Sequence, residues 1–425
     1  MQNQIPNNWQ KVKLGKVVDI TSSKRIFARE YLKEGIPFYR GKEIIEKFNG
    51  NKISLDLFIS QKKYDEIKVK FGVPQSGDML LTSVGTLGVP YLVDQNEKFY
   101  FKDGNLTWFR KHNGIDSKFL FYWILSSLGK EQLMKHTIGS SQQALTIDGL
   151  KNIDIFLPKI DEQKRIISIL SSFDDKIELN NKINKTLEEM ANTIFKEWFI
   201  KFRFPGWEKT EFIDSELGKI PIGWEVIKLE KILKLKHGYA FKGNKFINEK
   251  TNNIVVRMGN FQENSGLQFL NNTVYLKNID SQNKYLLNPG DIVMILSDIT
   301  REGRLIGNVG IIPDDGKNYF LNQRVAKIET DKKYILYLLN LFTSKEFHQH
   351  CLSRADSATV LNLKNEHIHD YEIALPENNI FKRFDELIEP IINKKEHIKY
   401  ENQKLSLMRD LLLPKLMKGR IRIIS

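Results

Sequence analysis

The chain repeats itself, and the repeat limits its architecture more than any single motif does. Residues Ile5 to Val17 (IPNNWQKVKLGKV) return at Ile220 to Ile232 as IPIGWEVIKLEKI, 215 positions on. The segment Gly77-Asp78-Met79-Leu80-Leu81 returns as Gly290-Asp291-Ile292-Val293-Met294, and Arg40 of FYRGKEI has a counterpart in Arg257 of VVRMGNF. NIDIFLP, closing at Pro158, returns as DYEIALP, closing at Pro376, and the same offset of 218 carries Asn184 to Asn402, Leu187 to Leu405, Met190 to Met408 and Ile194 to Leu412. An offset that drifts by a few residues is the mark of loop insertions, and a period of half the chain is far too long for a solenoid. A duplicated domain pair is expected.

Each copy changes character along its length. Its front alternates short apolar runs with Gly, Asn and Asp: PFYRG, QSGDMLLTSVGTLGVPYLV and FKDGNLTWF in the first copy, NIVVRMGN, NPGDIVMILS and LIGNVGIIP in the second. These read as strands and turns, followed in each copy by an amphipathic helix starting at Ser117 and at Lys332. In the back, Ile166, Leu170, Phe173, Ile177, Asn180, Asn184, Leu187, Ala191, Ile194 and Trp198 alternate steps of four and three, as do Phe384, Ile388, Ile391, Lys395, Ile398, Asn402, Leu405, Arg409 and Leu412. Such steps predict a coiled-coil helix in each copy. Pro390 predicts a helix break, matched in the first copy by Ser171-Ser172 before Asp174-Asp175, so a short helix is expected ahead of each long one. The two seams pack on each other, antiparallel if the copies are symmetric, or each binds a foreign helix. The fold class expected is α+β, two tandem mixed domains separated by two long antiparallel coiled-coil helices in pseudo-twofold arrangement. The boundaries are 1–157 and 214–375 for the mixed domains, 158–213 and 376–425 for the helical spacers.

Composition narrows the partners. Lys and Arg number 65 against 52 Asp and Glu, a net charge of +13 and a pI near 9.3, which favours a polyanion. A Lys-rich surface with no such partner is the competing account. No run approaches the roughly 20 apolar residues of a membrane-spanning helix, and Met1 to Gln10 lacks the pattern of an export signal. With one cysteine, Cys351, no internal disulfide can form, and a cytoplasmic location is expected.

Catalytic motifs are missing. There is no Asn/Asp-Pro-Pro-aromatic tetrapeptide and no dinucleotide fingerprint, and Gly35 to Lys42 misses the phosphate-loop spacing by one residue and ends in Glu43. Pro313-Asp314-Asp315-Gly316-Lys317 reads as a turn rather than a nuclease metal site. His348, His350 and Cys351, with His367 and His369, resemble a zinc cluster only in composition: His-x-His splits to different faces of the expected helix and the first copy has no equivalent set, so the histidines read as solvated. A non-catalytic chain is expected, with no metal and no cofactor of its own.

DNA readers present Lys and Arg to phosphates and Arg, Asn, Gln, Ser and Thr to base edges. The candidates on the loops of the first copy are Lys24, Arg25, Arg40, Ser83, Thr86, Ser141, Gln142 and Gln143. In the second copy they are Lys242, Arg257, Ser297, Arg301, Arg304, Gln323 and Arg324. Structural roles compete: Arg40 and Arg257 can brace the fold by pairing with carboxylates, and Ser83 and Ser297 can simply end strands.

Leu157-Pro158 with Glu162-Gln163, DSELGKIPIGWEV at Asp214 to Val226, GYAFK at Gly238 to Lys242, LNQRVAKI at Leu321 to Ile328 and FDELIEPI at Phe384 to Ile391 together resemble the specificity subunits of type I restriction-modification systems. The likeness spans nearly the whole chain. It departs in the first copy, where Ser23-Lys24-Arg25-Ile26-Phe27 stands for GYAFK. The resemblance implies two target-recognition domains on double-stranded DNA, an antiparallel helical spacer, two methyltransferase subunits and motor-nuclease subunits as partners, with S-adenosylmethionine, ATP and Mg held by those partners. Two diverged copies imply a bipartite, asymmetric site with a gap of fixed length. A coiled-coil scaffold that binds only protein is the other reading; it leaves the basic surplus and the duplicated loop-bearing domains unexplained.

Overall fold

The computed structural model describes residues 5–50, 53–139, 143–262, 266–269, 273–277, 283–298, 302–357 and 360–421. The chain divides into two units, Met1–Asn180 with Tyr400–Ser425, and Asn181–Lys399. Each contains one mixed domain and a stretch of both long helices, Ile160–Phe195 and Asn378–Met417.

In the first unit an antiparallel sheet runs in the order Asp19–Thr21, Leu106–Arg110, Met79–Thr82, Pro90–Leu92. Met79, Leu81 and Phe109 enter a core with Phe119, Leu120 and Trp123 of the helix Ser117–Leu125 and with Ile166 and Leu170 of the first long helix. Leu80 and Trp108 join Tyr39, Phe99 and Phe101 on the opposite face. Burial on both faces explains why this strand is an unbroken apolar run instead of an alternating one. Ile36–Tyr39 runs parallel to Tyr100–Phe101 in a second sheet. Gln10–Lys13 pairs antiparallel with Asp154–Leu157, the last strand before the first long helix.

The second unit repeats the plan. Leu233–His237, Val325–Thr330, Ile292–Ile295 and Val309–Ile311 form the sheet in the same order. Asn253–Val256 runs parallel to Asn318–Leu321, and Glu225–Lys228 pairs with Glu372–Leu375. The repeated Gly-Asp is a turn: Gly77 and Gly290 have φ of 86° and 84°, and Asp78 and Asp291 accept the amides of Gln75 and Asn288.

Both seams are shielded along their length, every named heptad residue being buried or half-buried. They pack on each other. In the first unit Arg409 reaches Asp174 at 2.6 Å and Asn180 reaches Asn402 at 2.8 Å. In the second, Lys395 stands 3.6 Å from Glu188, and the Phe199 and Phe384 rings meet with centroids 4.8 Å apart. Rising numbers on one helix meet falling numbers on the other, so within each unit the helices run antiparallel.

Three expectations are corrected. The helix Asn378–Met417 passes through Pro390 without a break, and Ser171-Ser172 lie inside Ile160–Phe195. Pro390 faces solvent. Its cost of about 3 kcal/mol is offset by burying Phe384, Ile388 and Ile398, each worth about 1.5–3 kcal/mol. Ser172 Oγ donates to the Ile169 carbonyl at 2.8 Å rather than capping a new helix. Conversely, the helices at Ser117 and Lys332 are each interrupted: Ser126 and Ser344 cap second helices, Ser127–Lys135 and Lys345–Arg354, by accepting the amides of Gly129 and Phe347. The histidines read as solvated are half-buried, with His348 against the Ile306 carbonyl and His350 against that of His367.

Candidate nucleic-acid interface

At one end of the second sheet, short loops are joined through their backbones. Tyr239 N donates to the Leu321 carbonyl and Gln323 N to the Tyr239 carbonyl, at 2.9 and 3.1 Å, so GYAFK lies against the turn Asn322–Arg324. A Cβ at Gly238 would lie 2.2 Å from the Asn322 carbonyl oxygen, so only glycine permits this approach. Leu296 N donates to the Arg324 carbonyl and Leu363 N to the Leu296 carbonyl. Leu305 N donates to Asp298 Oδ2 at 2.6 Å. Lys242, Gln323, Arg324 and Arg304 are exposed along this rim, Arg304 standing 3.7 Å from Glu302.

The first unit builds the same rim. Ser83 N donates to the Asn105 carbonyl and Leu145 N to the Ser83 carbonyl, while Gly88 N reaches the Thr82 carbonyl as Gly307 N reaches that of Ile295. These bonds set the correspondence: Thr82 with Ile295, Ser83 with Leu296 and Asn105 with Arg324. Val84 bridges Ala144 where Ser297 pairs with Asn362. Laying Thr82-Ser83-Val84 beside Leu296-Ser297-Asp298 by their shared serine is therefore one residue out of step, whereas the offset that carries Leu81 to Met294 continues unchanged through Val84 and Ser297. Lys24, Arg25, Thr86 and Gln143 are exposed. Arg25 meets Asp103 at 2.8 Å, and Thr82 Oγ1 donates to the Thr86 carbonyl.

Other candidates sit deeper. Arg40 is held by Glu43 and Asp56, each at 2.6 Å. The hydrogen bond to Glu43 raises its pKa above the usual guanidinium value. Its amide, like that of Arg257, donates to the side chain three residues on, Glu43 or Asn260. Arg257 is half-buried. Ser83 is buried and bonds Thr107 at 2.6 Å, and Ser297 is buried against Asn362 at 2.7 Å. Ser141, Gln142 and Arg301 lie outside the described residues. Sequence reasoning passed over Asn105 in a rim turn, Asn322 at the bridge to Tyr239 and Asn362 in the short strand paired with Ser297; polar residues directly flanking the repeated strands were the available signal. Pro313 to Lys317 forms a turn, with Gly316 at φ 75° and Lys317 Nζ 2.6 Å from Asp315.

The family model "Type I restriction modification DNA specificity domain" matches residues 6–189 and again 221–404. The chain belongs to this family. Two specificity subunits of Methanocaldococcus jannaschii type I restriction enzymes, MjaIX and MjaVIII, are 28% and 27% identical to it, each over 99% of this chain and 95% or 94% of their own. Among solved structures, the S subunit of a type I restriction-modification system from M. genitalium covers 100% of this chain and 98% of its own at a TM-score of 0.55 and 17% identity, which shows the shared fold. As a type I specificity subunit the chain is the non-catalytic component, whose work is recognition of a DNA target. The matched residues place one specificity domain in each copy. Among the described residues no helix of this specificity subunit is long and apolar enough to cross a membrane.

Proposed function

We propose that this specificity subunit reads a bipartite, asymmetric DNA site, one half with each rim, and directs partner subunits to it. The observation that carries the reading is that backbone-equivalent rim positions hold different side chains: Val84 against Ser297, Ala144 against Asn362, Asn105 against Arg324. One scaffold holding two sets of donors and acceptors reads two different sequences. Among the proposed contacts are Lys24, Arg25, Thr86 and Gln143 in the first head and Lys242, Arg304, Gln323 and Arg324 in the second. The heads correspond to 1–157 and 214–375, and the helical segments 158–213 and 376–425 hold the gap at fixed length. The unbroken helices Ile160–Phe195 and Asn378–Met417 have 36 and 40 residues, about 54 and 60 Å at about 1.5 Å each, which is between one and two turns of duplex.

Each repeat recruits one methyltransferase subunit, and the motor-nuclease subunits join that assembly in the cytoplasm. Methyl donor, ATP and Mg belong to those partners, and this chain supplies none of the chemistry. Replacing residues 214–375 by the corresponding domain of a relative is expected to change one half-site only, as read by single-molecule sequencing of methylated genomic DNA. A swap that alters both halves, or a continuous motif, ends the two-headed reading.

A further inference from the structure

Each head carries an aromatic ring beside its reading loop that the polar candidates leave out. In the first, Phe71 ends the helix Gln61–Lys70 and is 49% exposed, with Lys24 Nζ standing 5.2 Å from the ring centroid. Its carbonyl accepts Arg110 Nη1 at 3.4 Å, which ties it to the central sheet. In the second, Tyr285 meets Tyr239 of GYAFK with ring centroids 5.2 Å apart, and Lys284 Nζ stands 5.0 Å from the Tyr285 ring. Lys24 and Tyr239 hold the same place, one residue after Ser23 and Gly238, and Phe71 and Tyr285 both come shortly before the repeated Gly-Asp turn. The duplication has thus kept an aromatic ring at the loop while changing what it touches.

Phe71 belongs to none of the buried clusters, whereas Tyr285 is half-buried, with part of its ring against the core around Ile254 and Tyr319 and part left at the surface. The helix that Phe71 ends has a basic surplus: Lys62, Lys68 and Lys70 are exposed on it against Asp65 and Glu66, with Lys68 and Lys70 in its last turn, and Val69 is 86% exposed. A protein partner would have to desolvate those ammonium groups, whereas a polyanion pairs with them and leaves the ring to meet an apolar surface. DNA offers both within a few ångströms, as phosphate and as deoxyribose or thymine methyl.

We propose that Phe71 and Tyr285 are apolar DNA contacts, one in each head, pressed against a sugar or base edge beside the phosphate engaged by Lys24 or Lys284. This rests on the DNA-reading function above. A ring contact carries no charge, so its share of the affinity is independent of salt, while each lysine on a phosphate adds about 0.9 to the slope of log affinity against log salt.

The test uses the full chain assembled with its methyltransferase subunits, titrated at several salt concentrations with a duplex carrying its methylated motif. Phe71→Ala and Tyr285→Ala are each expected to weaken binding about fivefold or more at every salt with the slope unchanged. Phe71→Trp should restore binding, and Lys24→Ala should lower the slope by about one. Should Phe71→Ala not fold, Phe71→Gln, polar at a half-exposed site, gives the same reading. Unchanged affinity in the folded Phe71 variants, or a loss confined to assembly with the methyltransferase, overturns the proposal. Salt-independent binding by the unaltered complex would instead overturn the DNA-reading function itself.

Discussion

In the first unit the start of the long helix is anchored by Gln163, fully buried, which bonds the Gly114 and Pro158 carbonyls and the Asp116 amide at 3.0, 3.0 and 2.8 Å. Trp9 Nε1 donates to Glu162 there, and Tyr122 and Arg409 both bond Asp174 at 2.6 Å. In the second unit, Phe381, Ile380, Ile392 and Ala191 hold the places of Gln163, Glu162, Asp174 and Arg409. There Tyr337 and Phe381 meet Phe199, and Trp224, in the place of Trp9, stacks on Phe204 with centroids 5.5 Å apart. One architecture is therefore attached to its helices by directional polar bonds in one copy and by aromatic burial in the other. Hydrogen bonds net about 1 kcal/mol each but punish the loss of a partner, whereas rings contribute through area and tolerate small shifts.

That contrast can be broken by mutation. The largest effect is expected from Phe199→Ala, which removes a ring touching Trp224, Tyr337, Phe381 and Phe384 and should cost about 3–5 kcal/mol. Hydrogen exchange should then quicken in residues 181–399 while residues 5–180 keep their protection; uniform loss would show that the units do not stand separately. Gln163→Ala should cost about 2–3 kcal/mol by stranding buried backbone groups, with faster exchange at Gly114 to Asp116 and at the helix start. A neutral Gln163→Ala would mean that the polar anchor contributes no more than its apolar counterpart.

The smallest effect sharpens the contrast, because it lies where the pattern reverses. Asp385 holds the place of the buried Ile167, and its Oδ1 is buried with no hydrogen-bond partner. Burial, then the charge of Glu389, pushes its carboxyl up to about 6 from an ordinary 3.8. The folded state therefore binds the proton more tightly than the unfolded state. Its contribution to stability is present below about pH 4 and is lost as the pH rises towards 6. Asp385→Asn should flatten that part of the thermal-stability profile and raise the melting temperature slightly at pH 7, and superimposable profiles from pH 4 to 7 would refute the assignment.

Much of this was legible in residue order. The repeat gave the two sheets their common strand order, and the heptad steps marked seam residues that are all shielded. The misses have physical reasons. Local rules place a break at Pro390, but burial on either side of it outweighs the local cost. The helices at Ser117 and Lys332 look continuous because their apolar period survives the serine caps at Ser126 and Ser344. Arg40 and Arg304 look alike as letters, yet Arg40 lies against Glu43, which is 1% exposed, while Arg304 is on the rim.

By itself the sequence determined that there are two copies, where each changes from strands to helix, which residues line the seams, and that the chain has a basic surplus. These follow from periodicity and composition, which local chain geometry and net charge express without reference to distant residues. Tertiary structure decided which positions are equivalent at the rims, which polar residues brace the fold, and whether a helix is anchored by Gln163 or Phe381. Those depend on partners far away in the chain: Asn105 becomes the counterpart of Arg324 only through the strand-end bonds to Ser83 and Leu296.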